Sequence, residues 1–269
     1  MEVDISELLV EMGYGKLGTL HAQAIGDLAL IAFYYLLRVG EYTMKGKRNN
    51  TKQTVQFKLE DVSFFKRNKA GSLVCLPQDA SLSLIMTADS ATLKLDIQKN
   101  GWKSVCFYQE ANREWFKCPV KALARRVLHL RDNGATGKTL LSLFFQINEQ
   151  YDVCGKDISR VLKMAATLLQ YPASRGIPID RINTHSLQSR GANALALLGY
   201  SNTQIRKMGR WKGATFKEYI QEELVCYSTG MTKSMKRNFK FVNIAGNAYH
   251  DVTSTCIEED YNINCAAAA

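Results

Sequence analysis

The stretch THSLQSRGANALALLGYSNTQIRKMGRWKGATFKEYIQEE, residues 184–223, decides the reading of this 269-residue chain. Thr184 and Ser186 are helix N-cap residue types, able to accept from an early backbone N–H. The run Leu187–Leu198 is rich in Ala and Leu, and Gly199 suits the left-handed residue that closes a helix. Gly191, Ala192, Ala194 and Ala196 carry little side-chain bulk, so another element can approach closely. Ser201 or Asn202 starts a short second helix through Lys207, stopped by Gly209. A third, amphipathic helix over 214–224 carries Tyr219. The stretch thus offers a histidine at a helix start, a Gly-Arg-Trp-Lys turn and a tyrosine.

HSLQSRGA followed by KMGRWKGATFKEYI resembles the C-terminal signature of the tyrosine recombinases (the phage-integrase-like family), in the version carried by eukaryotic mobile elements such as DIRS-like retroelements and Cryptons. That pattern is His-x-x-Arg, then Gly-His or Gly-Arg followed by Trp, then the nucleophilic Tyr. His185 fits the first position and Tyr219 the last. Arg210 lies nine residues before Tyr219, where the family most often has a histidine. Gln188 stands in the place of the second catalytic arginine, the one clear departure.

Upstream, Leu17–Tyr42 is apolar almost all round between Leu28 and Leu37, as a buried helix would be. It delivers RVGEY, which resembles the family's first catalytic arginine motif. Arg38 then takes that role, with Glu41 as its supporting acid, at a helix C-terminus that suits a cation. Residues 53–110 change to alternating apolar and polar residues, the period of strands: VQFKLEDVSFF, SLVCLP, SLSLIM, ATLKLDIQ and KSVCFYQ. Asn100-Gly101 between two such runs predicts a tight type I′ hairpin, with Lys99 at its mouth. QKNG resembles the family's hairpin bearing a lysine general acid; on residue type alone Lys99 is a solvated hairpin lysine. Pro119 opens a helix that Gly134 ends, carrying Arg125, Arg126 and Arg131. GATGKT at 134–139 is not a phosphate loop, because that motif needs glycine where Asp132 stands. Asp157 caps a helix from Ile158 to about Leu169, and YPASRGIPIDRIN is a loop leading to His185.

The chemistry implied by the resemblance is phosphodiester transesterification. Tyr219 attacks a DNA phosphate and leaves a 3′-phosphotyrosyl link and a free 5′-hydroxyl. Arg38 clamps the phosphate, His185 assists proton transfer, Lys99 protonates the leaving oxygen, and Arg210 donates to a phosphate oxygen beside Trp211. Gln188 carries no charge, and losing one such donor costs about 3–4 kcal/mol in the transition state. Strand exchange is therefore expected to be weak or absent, with DNA binding kept. Three explanations stay open: a degenerate mobile-element copy, a deliberate Arg→Gln change, or a site rebuilt around Arg190 and Arg210. The alternative function is a catalytically dead DNA-binding module derived from such a recombinase; a type IB topoisomerase-like nicking enzyme is a third reading.

Composition agrees with a nucleic-acid partner. The net charge is +10, and 46% of residues are apolar, enough for a sizeable core. No run of about 18 apolar residues predicts a membrane span, and Met1–Tyr14 is not a signal peptide. Seven scattered cysteines, with no Cys-x-x-Cys, point to reduced thiols in an intracellular protein. The four histidines lie at no zinc-site spacing, so neither metal nor cofactor is expected. The expected fold is α+β: a mostly helical tyrosine-recombinase catalytic domain with a small antiparallel sheet or β-hairpin. Its expected extent is residues 17–225, after a leader or remnant at 1–16 and before a basic segment and tail at 226–269. The partners are double-stranded DNA and, by resemblance, further copies of the chain as dimer or tetramer, in the nucleus. Sixteen preceding residues are too few for the N-terminal clamp domain usual in the family, so DNA binding is expected to be weak and salt-sensitive.

Overall fold

Glycine lets the first two helices touch. In the computed structural model, which describes residues 3–44, 55–97, 103–112, 114–147 and 149–213, α1 (Val3–Tyr14) lies against α2 (Leu20–Tyr34). A Cβ at Gly26 would come within 2.7 Å of the Leu9 carbonyl oxygen, and one at Gly13 within 2.8 Å of the Gln23 backbone. Ile5, Leu9 and Val10 are buried, so the stretch read as a leader carries a core-forming helix. The single helix expected over 17–42 starts late and is broken once. It starts at Leu20 because Thr19 caps it, accepting from the Ala22 N–H at 3.1 Å. It stops at Tyr34, because Leu36 turns left-handed (φ 50°), and Val39–Tyr42 form a separate turn, α3.

Of VQFKLEDVSFF only the second half is strand, Leu59–Asp61 being a 3-10 turn, while SLVCLP, ATLKLDIQ and KSVCFYQ supply strands as expected. β1 (Val62–Arg67), β2 (Leu73–Cys75), β3 (Ser90–Ile97) and β4 (Lys103–Glu110) make one antiparallel sheet in the order β2-β1-β3-β4. SLSLIM is not a strand: α4 (Leu82–Met86) is a short helix that buries only Ile85. Alternation of Ser with Leu satisfied the two-residue period, but helical spacing of Ile85 and Ala88 is what reaches the core. β3 and β4 pair as expected, yet Ile97 faces Lys103, with five residues between them. A two-residue turn on Asn100-Gly101 would set Ile97 opposite Ser104, so the register is one residue away from that expectation. The turn, including Lys99, lies outside the described residues.

α5 (Pro119–Asp132) begins with proline at its first position and closes over Gly134 (φ 72°), with the Ala135 N–H reaching the Leu130 carbonyl at 3.0 Å. Two of its arginines point into the protein. Arg125 binds Asp27 of α2 and stacks over Tyr14 and Trp115; Arg126 donates to the Leu141 and Leu143 carbonyls. A small hairpin, β5 (Leu143–Gln146) with β6 (Glu149–Asp152), was not foreseen. α6 (Gly155–Leu168) starts earlier than expected. Asp157 is its third helical residue, and its carboxylate takes the Cys154 N–H at 3.0 Å. The supposed loop before His185 holds α7 (Tyr171–Arg175) and a single 3-10 turn.

The chain divides into two compact units, residues 1–191 and 192–269, the second described only to residue 213. α8 (His185–Leu197) starts in the first unit and ends in the second, closing over Gly199 (φ 83°) as expected. α9 (Asn202–Gly209) in the second unit is capped by Ser201. The architecture is α+β, with nine α-helices and a small antiparallel sheet among the described residues. No described helix is long and apolar enough to cross a membrane.

Candidate active site

The site is built outward from the end of α2, sequence YYLLRVGEY. The Leu37 N–H reaches the Ala32 carbonyl at 2.9 Å and the Leu36 N–H reaches Phe33 at 3.4 Å, the paired bonds of a helix-closing motif that normally uses glycine. Here a leucine adopts the left-handed conformation, at a cost of about 1–2 kcal/mol. Its side chain is 1% exposed, so core burial offsets that cost.

Three bonds converge on this turn from elsewhere in the first unit. Gln109 on β4 donates to the Tyr34 carbonyl at 2.7 Å. The Tyr35 hydroxyl donates to the Ala91 carbonyl on β3 at 3.0 Å. The Gln188 side-chain amide on α8 donates to the Leu36 carbonyl at 3.0 Å. The two strands flanking Lys99 and the helix beginning at His185 are thus fastened to the segment that presents Arg38.

Arg38 is extended (φ −81°, ψ 146°) and sits at the start of α3, not at a helix C-terminus as expected. The left-handed turn at Leu36 ends α2 before Arg38 is reached. Glu41, fully buried, takes the Arg38 N–H at 2.8 Å, and its other oxygen lies 3.8 Å from Nη1 of the guanidinium. Glu41 thus holds Arg38 from the buried side. The Arg38 side chain keeps 22% of its surface exposed.

His185 opens α8. Asn183 supplies the cap, its Oδ1 accepting the His185 N–H at 2.9 Å, while Ser186 Oγ accepts the Asn183 N–H at 3.1 Å. Asn183 thus caps the start of the helix, with Ser186 in return. His185 is exposed. Desolvation of part of its ring, and then the positive charge of Arg38, lower its pKa below the usual 6.5. Both effects favour the neutral ring, which is able to accept a proton. Arg38 and His185, distant in sequence, are close enough in space to interact electrostatically.

Gln188 is buried, 1% exposed, with its amide committed to Leu36. Arg190 is half-buried on the same helix. In the second unit, Arg210 is fully buried and left-handed (φ 61°), closing α9. The left-handed residue is thus Arg210 and not Gly209. Gly209 is glycine because the Trp211 ring covers it: a Cβ there would lie 1.6 Å from that ring. Lys99 and Tyr219 lie outside the described residues.

A groove of about 1210 Å³ runs along α6 to Thr184, the neighbour of His185. Lys156, Arg160 and Lys163 line it on one side of the helix, with Met44 and Met164 among its apolar walls. Sequence reasoning did not single out this face. The spacing of the three cations, roughly one helical turn apart in GKDISRVLKMAATL, was the available signal. Among the described residues no His, Cys, Asp and Glu side chains gather to hold a metal ion. No protein-family model and no curated protein sequence matches the chain.

Proposed function

We propose that the chain is the catalytic domain of a tyrosine recombinase that binds double-stranded DNA in the nucleus, and that Tyr219 is its nucleophile. The observation that carries the reading is the turn that presents Arg38, backed by the buried Glu41 and fastened to the strands that flank Lys99 and, through Gln188, to the helix that His185 opens. Arg38 is a fixed, partly exposed cation backed by a buried carboxylate, suited to a phosphate oxygen. A neutral His185 beside it takes up the phenolic proton as the Tyr219 oxygen attacks phosphorus. The P–O5′ bond breaks, and Lys99 gives its proton to the leaving 5′-oxygen. The groove along α6, rich in cations and ending next to His185, offers a path for the DNA backbone.

The second reading, a DNA-binding module without catalysis, is favoured by Gln188. Its side chain is turned to the Leu36 carbonyl and buried, and an uncharged amide supplies none of the charge that a second arginine would bring to the phosphate.

Nicked suicide duplexes test both readings. The unmodified chain, Gln188→Arg, and each of these with Tyr219→Phe are incubated with DNA and run on a denaturing gel. A covalent adduct that needs Tyr219 supports the recombinase, whether it forms with the chain as it stands or only with Gln188→Arg. Intact DNA binding with no adduct from any version supports the binding module.

A further inference from the structure

We propose that Gln188 is a positioning residue for Arg38: by holding the Leu36 carbonyl, its side-chain amide fixes the left-handed turn that presents the Arg38 guanidinium. The functional meaning of this rests on the reading of Arg38 as a phosphate ligand; the geometry is independent of it.

The turn is an improbable one for its sequence. Leucine at φ 50° holds a conformation that glycine would take without strain, so neighbouring groups must over-determine it. Two of them come from α8. Gln188, 1% exposed, donates to the Leu36 carbonyl at 3.0 Å. Gly191, one turn further, lets the helix sit directly on the same residue: a Cβ there would fall 2.3 Å from Leu36 Cδ2 and 2.5 Å from the Phe33 carbonyl oxygen. On the far side, Glu41 holds the Arg38 N–H at 2.8 Å. Only Leu37, itself 1% exposed, separates the carbonyl held by Gln188 from the residue held by Glu41. A rotation at Leu36 would swing Arg38 about that short lever. A neutral amide makes this bond without burying a charge. Position 188 therefore keeps an orienting task even though it brings no charge to a phosphate.

The His185 imidazole reads the position of Arg38 directly, because the guanidinium lowers its pKa. NMR titration of His185 is carried out on the unmodified chain, Arg38→Met, Gln188→Met and the double variant, each first shown to be folded by near-ultraviolet circular dichroism. Methionine keeps the length of glutamine and removes the donor. Removing the Arg38 charge raises the His185 pKa. Gln188→Met is expected to give most of the same rise, and the double variant no more than Arg38→Met alone. A rise with Arg38→Met but none with Gln188→Met overturns the proposal, as does the absence of any rise with Arg38→Met. Should Gln188→Met fail to fold, exchange of the Gln188 side-chain amide protons in the unmodified chain decides. Protection is expected, and exchange as fast as that of an exposed glutamine overturns the proposal. In parallel, Gln188→Met weakens DNA binding about 5–10-fold when Arg38 is present and not in the Arg38→Met background. If Arg38→Met leaves DNA binding unchanged while the titrations behave as expected, the phosphate-ligand reading fails and the positioning role stands.

Discussion

Arg125 Nε lies 2.8 Å from Asp27 Oδ1, and both side chains are sealed from solvent at 5% and 1% exposure. This pair joins α5 to α2 and is completed by the Tyr14 hydroxyl, which donates to the other Asp27 oxygen at 2.7 Å. Burial pushes the Asp27 carboxyl pKa up, and Arg125 draws it back. Breaking one side of such a pair strands a charge in the core. Asp27→Ala is expected to lower unfolding stability by about 3–5 kcal/mol in urea titration, whereas Asp27→Leu with Arg125→Met should recover most of the loss. Equal losses in the single and double variants would show that the charges themselves are not the issue.

Two glycines should respond differently to the same added methyl group. At Gly191 a Cβ meets Leu36 and the Phe33 carbonyl at 2.3 and 2.5 Å, and the second of these is backbone that cannot step aside. Gly191→Ala should cost about 1–3 kcal/mol or more, through displacement of α8. At Gly134 nothing lies within 4 Å, but φ is 72°. Gly134→Ala should cost only the left-handed strain, about 1–2 kcal/mol. The two kinds of penalty separate if Gly134→Asn, which tolerates that conformation, restores stability while Gly191→Asn does not.

His129 accepts the Phe145 N–H through Nε2 at 2.9 Å, which only the neutral ring can do. Burial, and then the charge of Arg126, push its pKa from 6.5 to about 4. The folded pKa is depressed, so the stabilisation is present in full above pH 6.5 and is lost as the pH falls towards 4. Allowing for the half-buried position, the loss is about 1–2 kcal/mol. Urea unfolding of the unmodified chain at pH 7 and 4.5, compared with His129→Gln, should show the variant with the shallower decline. Parallel declines would place the titration elsewhere.

If the chain binds DNA as proposed, with Arg38 on a phosphate, Arg38→Ala should remove one phosphate contact. The slope of log affinity against log salt then falls by about 0.9, while Tyr219→Phe leaves it unchanged. An unchanged slope for Arg38→Ala would exclude Arg38 from the DNA interface.

The parts legible in the sequence are those fixed by neighbours along the chain. Pro119 and Gly134 bracket α5, Gly199 closes α8, Ser201 caps α9, and the alternating runs on either side of Asn100 pair as β3 and β4. Each is a local rule, because a cap, a positive φ or a two-residue period is satisfied within a few residues. The order Arg38, Lys99, His185, Arg210, Tyr219 is equally a property of the sequence. Burial and pairing partners are not. Arg125 and Arg126 look like surface cations until α2 and the Leu141–Leu143 segment close over them. SLSLIM has the period of a strand, yet the core accepts only Ile85. The β3–β4 register is set by which faces meet the core, one residue from where the turn residues alone would put it. Gln188 gives no hint in HSLQSRGA of its partner, because the Leu36 carbonyl is exposed for bonding only when a leucine far upstream is forced left-handed at the end of α2. Sequence determined which groups are present and in what order; only tertiary packing, which makes buried donors and acceptors find each other, decided which of them face one another.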